Sequence, residues 1–511
     1  MLVKTFGGAV HGVEARTITI EATVGKGTKY YMVGLPDNAV KESLRRVESA
    51  ITVSGLRMPK QKIVLNLAPA DIKKEGSAYD LPIAIGILAA SGQLEGADVE
   101  SYFIMGELSL DGGIHPIKGA LPIAMHAYDS GFKGFILPMA NAREAGIAEG
   151  LKVYGMTSLL EVVGLLKKTQ IFEPIKVDIR AEFLKKAALY EFDFSDVKGQ
   201  ENIKRALEIA AAGGHNAILI GPPGAGKTML AKRLPTILPP LNLLEALETT
   251  KIHSVAGKIP ESTAIITERP FRSPHHTVSD VALVGGGTHP MPGEISLAHN
   301  GVLFLDELPE FKRTVLEVLR QPLEDRKVSI SRAKFSIDYP SSFMLIASMN
   351  PCPCGFFNHP EKDCICLPGI VQKYISRISG PLLDRIDLHV EVTPVNFEAL
   401  ADNQNIESSL AIRERVIKAR ELQIQRFKEF EQVHSNAEMS SNQVRNICLI
   451  NDKAQALIKD AMEKLGLSAR AYDRILKVSR TIADLEQSIE IEIEHIAEAI
   501  HYRSLDKEKW N

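Results

Sequence analysis

Three separated groups of residues carry the chemistry this sequence could perform. The first, Gly221-Pro222-Pro223-Gly224-Ala225-Gly226-Lys227-Thr228, fits the spacing G-x-x-x-x-G-K-[ST]. Glycines in such a run let backbone N–H groups turn toward an anion, and a helix starting behind them adds the positive end of its dipole. The ligand expected there is the phosphate chain of ATP, with Lys227 reaching the β- and γ-phosphates and the Thr228 hydroxyl ligating magnesium. A chance glycine-rich turn is the bland alternative. It is disfavoured because the apolar run Ala217 to Ile220 leads straight into the loop and a helical pattern follows it.

The second group is Asp306-Glu307, which ends the apolar run Val302 to Leu305. Asp306 would hold magnesium, commonly through water, and Glu307 would orient and polarise an attacking water. Alone, an acidic pair at a strand end reads as a solvated turn; beside a phosphate loop it reads as the other half of one site. A further apolar run, Met344 to Ala347, leads to Asn350, whose amide could bond both the γ-phosphate and the lytic water. Its alternative is a turn-forming asparagine before Pro351. Parallel strands deliver their C-terminal ends to one edge, so three such ends point to one pocket.

The third group is Cys352-x-Cys354 with Cys364-x-Cys366. Four thiolates at this spacing could hold a tetrahedral zinc and close the loop between them, with His359 able to replace one ligand. Free thiols in a reducing compartment are the alternative. The fifth cysteine, Cys448, is alone and reads as core.

Elements must hold these groups in place. Residues 1–172 alternate short β-rich and helical runs, with a strand expected over Lys62 to Leu67 and a core helix over Asp80 to Ala90. A helix over Leu121 to Tyr128 and a strand over Phe135 to Pro138 complete an α+β pattern. Residues 173–190 lack long apolar runs and read as a linker. Residues 191–395 form the α/β core, entered by an amphipathic helix over Ile203 to Ala212. Residues 396–511 read as all-helical: Leu410 to Phe430, Asp452 to Leu465, Ala469 to Glu486 and Ile493 to Tyr502.

Composition narrows the class. The 511 residues are 45% hydrophobic and 24% charged, as expected of globular domains with real cores. No run approaches the roughly 20 apolar residues of a membrane span, and residues 1–17 lack the layout of a signal peptide, so the expected location is the cytoplasm. A net charge of −3 gives no global basic footprint. A nucleic-acid partner would have to be met by local patches.

Longer strings carry a specific resemblance over nearly the whole chain. They are Phe271-Arg272-Ser273-Pro274-His275-His276-Thr277, the glycines Gly285 to Gly287, Pro292 to Leu308, Met349 to Gly355 and Ile378 to Leu388. In these the chain resembles the magnesium-chelatase-like AAA+ ATPases of the YifB/ComM type, whose core is similar to the chelatase motor and the MCM helicases. The resemblance implies a P-loop AAA+ core with a helical lid domain. It implies a hexameric DNA helicase promoting branch migration in natural transformation or recombination. It also assigns Arg385 as a finger reaching a neighbour's nucleotide, and Arg470 as the lid arginine that could face the phosphates from the first turn behind a Ser468 cap. Local pairing of Arg385 with Asp384 or Asp387 is its alternative, and Arg474 is a rival to Arg470.

Two more features follow from the resemblance. Gly76 to Leu81 and Gly106 to Ile117 are similar to the Lon-protease domain. The nucleophile position falls on Ala78, with Ser77 displaced by one, and the lysine position on Leu121, so the domain is expected to be inactive as a protease. Arg326, Lys327, Arg332 and Lys334 lie in a hairpin that in the family projects into the ring channel, where cations could follow a nucleic-acid backbone; a solvated hairpin is the plain alternative. His275, His276 and His289 are too irregularly spaced for a metal and receive no role. Besides the helicase, two classes remain: a chelatase-like motor remodelling a protein partner, against which the N-terminal domain argues, and a Lon-like protease, against which the absent pair argues.

Overall fold

The computed structural model describes residues 1–185, 191–394 and 407–503, apart from residues 73, 75, 96, 288, 289, 333, 334, 360, 431 and 432. Two sheets organise it. The first has seven strands in the order Tyr30–Val33, Lys62–Ala68, Glu14–Gly25, Leu2–His11, Tyr102–Ile104, Gly134–Pro138, Lys152–Met156. Leu2–His11 and Glu14–Gly25 pair antiparallel from Leu2↔Thr23 to His11↔Glu14. That register leaves a two-residue turn in which Gly12 takes a φ of +67°, the conformation a tight hairpin needs and glycine adopts without strain. The helix Asp80–Ala90 is buried at every position, as an apolar helix without a polar face must be, and it packs on that hairpin.

The second sheet has five parallel strands in the order Phe271–Arg272, Val302–Leu305, Met344–Met349, Ala217–Ile220, Leu388–Glu391. Its three middle strands are buried at every residue, the pattern of parallel strands covered on both faces. The entering helix, Glu201–Gly213, is closed by Gly214 in the left-handed conformation at φ +73°, a common helix stop. The sheet is thus a mixed α/β layer with its C-terminal strand ends at one edge.

The C-terminal segment is helical: Ser409–Arg426, Ser441–Ile447, Asp452–Leu465, Ala469–Leu485 and Ile493–His501. Ser408, Ser440, Asn451 and Ser468 each accept a backbone N–H at the start of their helix, satisfying donors that would otherwise have no partner. Helices Ser409–Arg426 and Ala469–Leu485 pack on Glu201–Gly213. Among the described residues, no helix is long and apolar enough to cross a membrane.

The expected linker is partly built. Ile175 bridges Val153 at the sheet edge, Ile179–Lys185 is helical, and Ile179 is buried with Leu121, Ile147, Leu241, Ala246 and Ile265. A seven-residue helix is too short to persist alone. This one exists because its apolar side chains Ile179 and Phe183 are shared between the N-terminal and motor layers, a long-range contact that local sequence pattern does not reveal. The expected break at 395/396 lies outside the described residues.

Candidate nucleotide site and cysteine cluster

The three strand ends converge. Ile220 is in register with Met349, and Leu305 with Ala347, so the residues that follow each strand emerge side by side. A cavity of about 430 Å³ opens there, lined by Pro223 to Met229, Asp306, Glu307 and Ser348 to Asn350. Gly224 and Gly226 take φ values of +80° and +82°, which only glycine adopts without strain. The helix Lys227–Ile237 begins at Gly226 with no side-chain cap. Its first N–H groups are left for an anion, and the helix dipole favours one.

Side chains complete the pocket. The Lys227 ammonium donates to the carbonyls of Gly221 at 2.7 Å and Pro222 at 2.9 Å, and to the Asn350 amide oxygen at 3.1 Å. Burial holds its pKa below the ordinary lysine value, while Asp306 and Glu307 pull the other way. The Thr228 hydroxyl donates to Asp306 Oδ2 at 2.8 Å. Ser348 donates to the other Asp306 oxygen. A hydroxyl and a carboxylate side by side are the hard oxygen donors magnesium selects, so this pair fits that ion.

Glu307 sits at φ +55°, a strained conformation for a side chain of its kind. Its N–H is held by Asp306 Oδ1 at 3.1 Å and Ser348 Oγ at 3.3 Å, which fixes the turn that carries its carboxylate into the cavity mouth. Ser348 was not singled out in the sequence. The available signal was its place two residues before Asn350 on a strand, where side chains at i and i+2 share a face.

The arginines lie elsewhere. Among the described residues, no arginine lines this cavity. Arg385 is buried and pairs with Glu324, and it also donates to the Pro381 carbonyl. Its partner is therefore neither Asp384 nor Asp387, because the helix Arg320–Asp325 brings a distant acid closer. Ser468 does cap its helix through Ala471 N, yet Arg470 is 64% exposed and its partner is Asp384 at 3.7 Å. It does not face the phosphate cavity of its own chain. Arg474 is taken by the buried Asp387, whose ionisation resists burial because Arg474 and His215 stabilise the charge.

Gln200 ties the phosphate loop to the end of the sheet, donating to Ala225 O at 2.9 Å and Thr393 O at 3.4 Å. Next to it a second cavity shares Pro223 to Gly226 and Met229 with the first and is walled by Phe356, His359 and Lys362. That wall belongs to the cysteine loop. The four sulfurs of Cys352, Cys354, Cys364 and Cys366 lie within 4.8 Å of one another. Three of the separations are 3.3, 3.6 and 3.7 Å, close to the ~3.8 Å edge of a tetrahedron with 2.3 Å zinc–sulfur bonds. The cluster thus fits zinc. His359 is occupied otherwise, its Nδ1 accepting from Glu361 N and Lys362 N, so it adds no ligand. Gly355, at φ +84°, lies so close to Pro223 that an added Cβ would be 2.5 Å from the proline ring. Cys448 is buried and apart.

The hairpin expected around Val328 and Ile337 is Lys327–Arg332 paired with Phe335–Pro340. Its charge is smaller than expected: Arg326 pairs with Glu438 at 2.8 Å and Lys327 with Asp338 at 3.4 Å. Lys334 and His289 lie outside the described residues. At the start of the N-terminal helix Ala120–Asp129, Leu121 is fully buried against the motor layer, its N–H donating to Ser254 Oγ at 3.3 Å. The position that a Lon-type lysine would occupy is therefore part of a joint between layers and closed to substrate.

Comparison with known proteins agrees with this geometry. A family model described as magnesium chelatase, subunit ChlI, matches residues 193–400, a second ChlI model residues 20–141, and a ChlI C-terminal model residues 406–503. The competence protein ComM of Haemophilus influenzae is 43% identical over 511 residues, spanning 99% of this chain and 98% of that protein. The chain belongs to the YifB/ComM family. It is a magnesium-chelatase-like AAA+ ATPase. The uncharacterized protein YifB of Escherichia coli is 45% identical over 506 residues, covering 98% of this chain and 96% of its own. Lon protease 2 of Bacillus subtilis is 28% identical over 195 residues, 35% of this chain and 31% of that one. Membership of this family implies nucleotide and magnesium, and the donors of the cavity at Lys227, Thr228 and Asp306 fit both.

Proposed function

We propose that this chain is an ATP-driven DNA motor of the cytoplasm. It works as a hexameric ring with helicase activity that promotes branch migration during transformation or recombination. The observation that carries the reading is a division of labour within one chain. One cavity gathers a lysine, two hydroxyls, two carboxylates and an amide but no arginine among the described residues, while Arg385 pairs with Glu324 and Arg470 with Asp384, away from it. A motor whose charge-neutralising arginines lie outside its own pocket works when a neighbour supplies them, which a ring provides.

In this reading the loop Gly221 to Gly226 and the start of helix Lys227–Ile237 bind the phosphates, and Lys227 exchanges its carbonyl partners for phosphate oxygens. Thr228 and Asp306 hold magnesium, which when bound neutralises charge on the β- and γ-phosphates. Glu307 polarises the water, Asn350 holds it in line, and the cavity walled by Phe356 receives the base. Zinc in the four-cysteine cluster braces that wall. The N-terminal domain (residues 1–172), the built-in connector (173–190), the motor core (191–395) and the lid (396–511) are its working parts.

DNA as the track is supported by the family resemblance, by the competence role in the Haemophilus relative's name, and by the hairpin Lys327–Arg332/Phe335–Pro340. ATP hydrolysis measured with and without single-stranded and branched DNA, beside a strand-displacement assay, tests it. Stimulation by DNA and displacement of a branched strand are expected. Hydrolysis indifferent to DNA, with no strand displaced, would leave the motor and replace its track with a protein partner, as in chelatase.

A further inference from the structure

The short segment Asp384 to Asp387 is held from two sides. Asn216, directly before strand Ala217–Ile220, donates from Nδ2 to the Arg385 carbonyl at 2.9 Å and from its backbone N–H to Asp387 Oδ2 at 3.2 Å. His215 Nδ1 lies 3.2 Å from the same oxygen; a carboxylate only accepts, so this nitrogen carries the proton. The C-terminal helical segment supplies the rest. Arg474 donates to Asp387 Oδ1, Arg503 Nη1 donates to the Ile386 carbonyl at 2.8 Å, and Arg470 lies 3.7 Å from Asp384 Oδ2. Arg470 and Arg474 are four residues apart on helix Ala469–Leu485, hence on one face, and they reach acids on both sides of Arg385. The two pairs differ in weight. Arg470 is exposed, and an exposed pair contributes little. Asp387 is buried, so without its cation it would be a buried charge with half its partners. Arg474 carries the stronger hold.

We propose that Arg474 is a positioning residue for Arg385: it neutralises Asp387 and so fixes the turn from which the Arg385 side chain reaches a neighbouring subunit. The inference rests on the reading of Arg385 as a group that acts across a subunit boundary. The backbone of the turn is pinned at Arg385, Ile386 and Asp387 by Asn216, Arg503 and Arg474. The Arg385 guanidinium is held more lightly, by the Pro381 carbonyl and by Glu324, an exposed side chain. Its Nε has no hydrogen-bond partner among the described residues. Exchanging Glu324 for a neighbour's phosphate oxygen therefore takes only side-chain rotation, from a backbone that does not move. Without Arg474 the buried Asp387 charge is relieved only by moving toward water, and the turn that carries Arg385 moves with it.

Steady-state ATP hydrolysis by Arg474→Gln, alone and in subunit mixtures, tests the assignment, with affinity for a fluorescent ATP analogue measured alongside. Displacing a reacting group by about 1 Å costs about a hundredfold in rate, so a kcat loss of that size is expected. Affinity should stay near wild type, because Arg474 does not line the phosphate cavity. Mixed with Lys227→Ala subunits, which present an intact Arg385, Arg474→Gln should regain activity. Mixed with Arg385→Ala subunits it should not, since both lack the same function at the boundary. Asp387→Asn, which keeps the shape and removes the charge, should behave alike, and combining it with Arg474→Gln should add little. Arg474→Lys, which keeps the charge, should recover part of the loss. Wild-type kcat in Arg474→Gln overturns the proposal. So does recovery with Arg385→Ala in place of Lys227→Ala, which would put Arg474 to work at its own chain's nucleotide. Loss of analogue affinity in both Arg474→Gln and Asp387→Asn would make the pair a bond of the fold alone, and overturns it too. Failure of Lys227→Ala to rescue Arg385→Ala would instead remove the reading of Arg385 itself, a result separable from these.

Discussion

Lys227 and Asn350, 123 residues apart in the chain, meet across 3.1 Å in the phosphate cavity. The ammonium donates to this amide and to two backbone carbonyls, so under the proposed function a triphosphate must offer better acceptors than all three. Lys227→Ala is expected to abolish nucleotide binding, because no second cation lines the cavity among the described residues. Asn350→Ala should keep most of the binding, since the phosphate loop is intact, and lose about a hundredfold in kcat, the usual cost of removing one aligned polar group from a transition state. Equilibrium binding of a fluorescent ATP analogue and steady-state hydrolysis separate the two effects. Comparable affinity in Lys227→Ala and wild type would contradict the site.

Arg385 is expected to act across a subunit boundary. Its guanidinium is buried and paired with Glu324, and its carbonyl accepts from Asn216 Nδ2 at 2.9 Å, which ties its backbone to the motor sheet. Arg385→Ala subunits alone should be inactive. Mixed with Lys227→Ala subunits they should regain part of the activity, because each mutant supplies what the other lacks at shared sites. A mixture no more active than its separate components would argue for catalysis within one chain.

Much of the motor was legible because its chemistry is attached to strands. Ala217 to Ile220 and Val302 to Leu305 are apolar at every position and end in residues of unmistakable type, so both strands have the bounds the residues suggest. Met344–Met349 runs two residues further than the expected end, since Ser348 and Met349 are buried by neighbours that local pattern does not name. Contacts between distant, irregular segments were not legible. Arg385 reaches Glu324 only after the sheet and the helix Arg320–Asp325 are assembled. The connector helix Ile179–Lys185 likewise depends on Leu241 and Ile265. The pairing of Arg326 was not legible because its partner, Glu438, lies in the distant C-terminal segment.

Metal in the cysteine cluster is expected to support nucleotide binding. The loop between Cys354 and Cys364 carries Phe356 and His359 into the wall of the second cavity, and Gly355 is packed on Pro223 of the phosphate loop. Elemental analysis of protein purified without chelators should find one zinc per chain. Cys364→Ser with Cys366→Ser should lose the metal and weaken nucleotide affinity several-fold. Gly355→Ala should weaken affinity with the metal retained, because its Cβ displaces Pro223. Protein without metal that binds nucleotide as tightly as wild type would disconnect the cluster from the site.

The joint between the N-terminal and motor layers should loosen as pH rises. Glu144 is buried, and burial pushes its pKa up to about 7 although Asn141 and Ser254 favour the ionised form. Asn141 Nδ2 donates to one oxygen at 2.8 Å, while the other has no hydrogen-bond partner; a proton there turns it into a donor within the joint. Exposed, the same carboxyl ionises near 4.5. The contribution of the neutral form is therefore complete below the exposed value, falls between about 4.5 and 7, and is gone above. By linkage it is worth at most about 3 kcal/mol. Thermal unfolding of wild type should weaken across that interval relative to Glu144→Gln, which stays neutral and keeps the shape. Identical pH dependence in the two proteins would show that Glu144 is already ionised in the joint, and that the contacts of Leu121 and Gly119 with Ser254 hold the layers together without it.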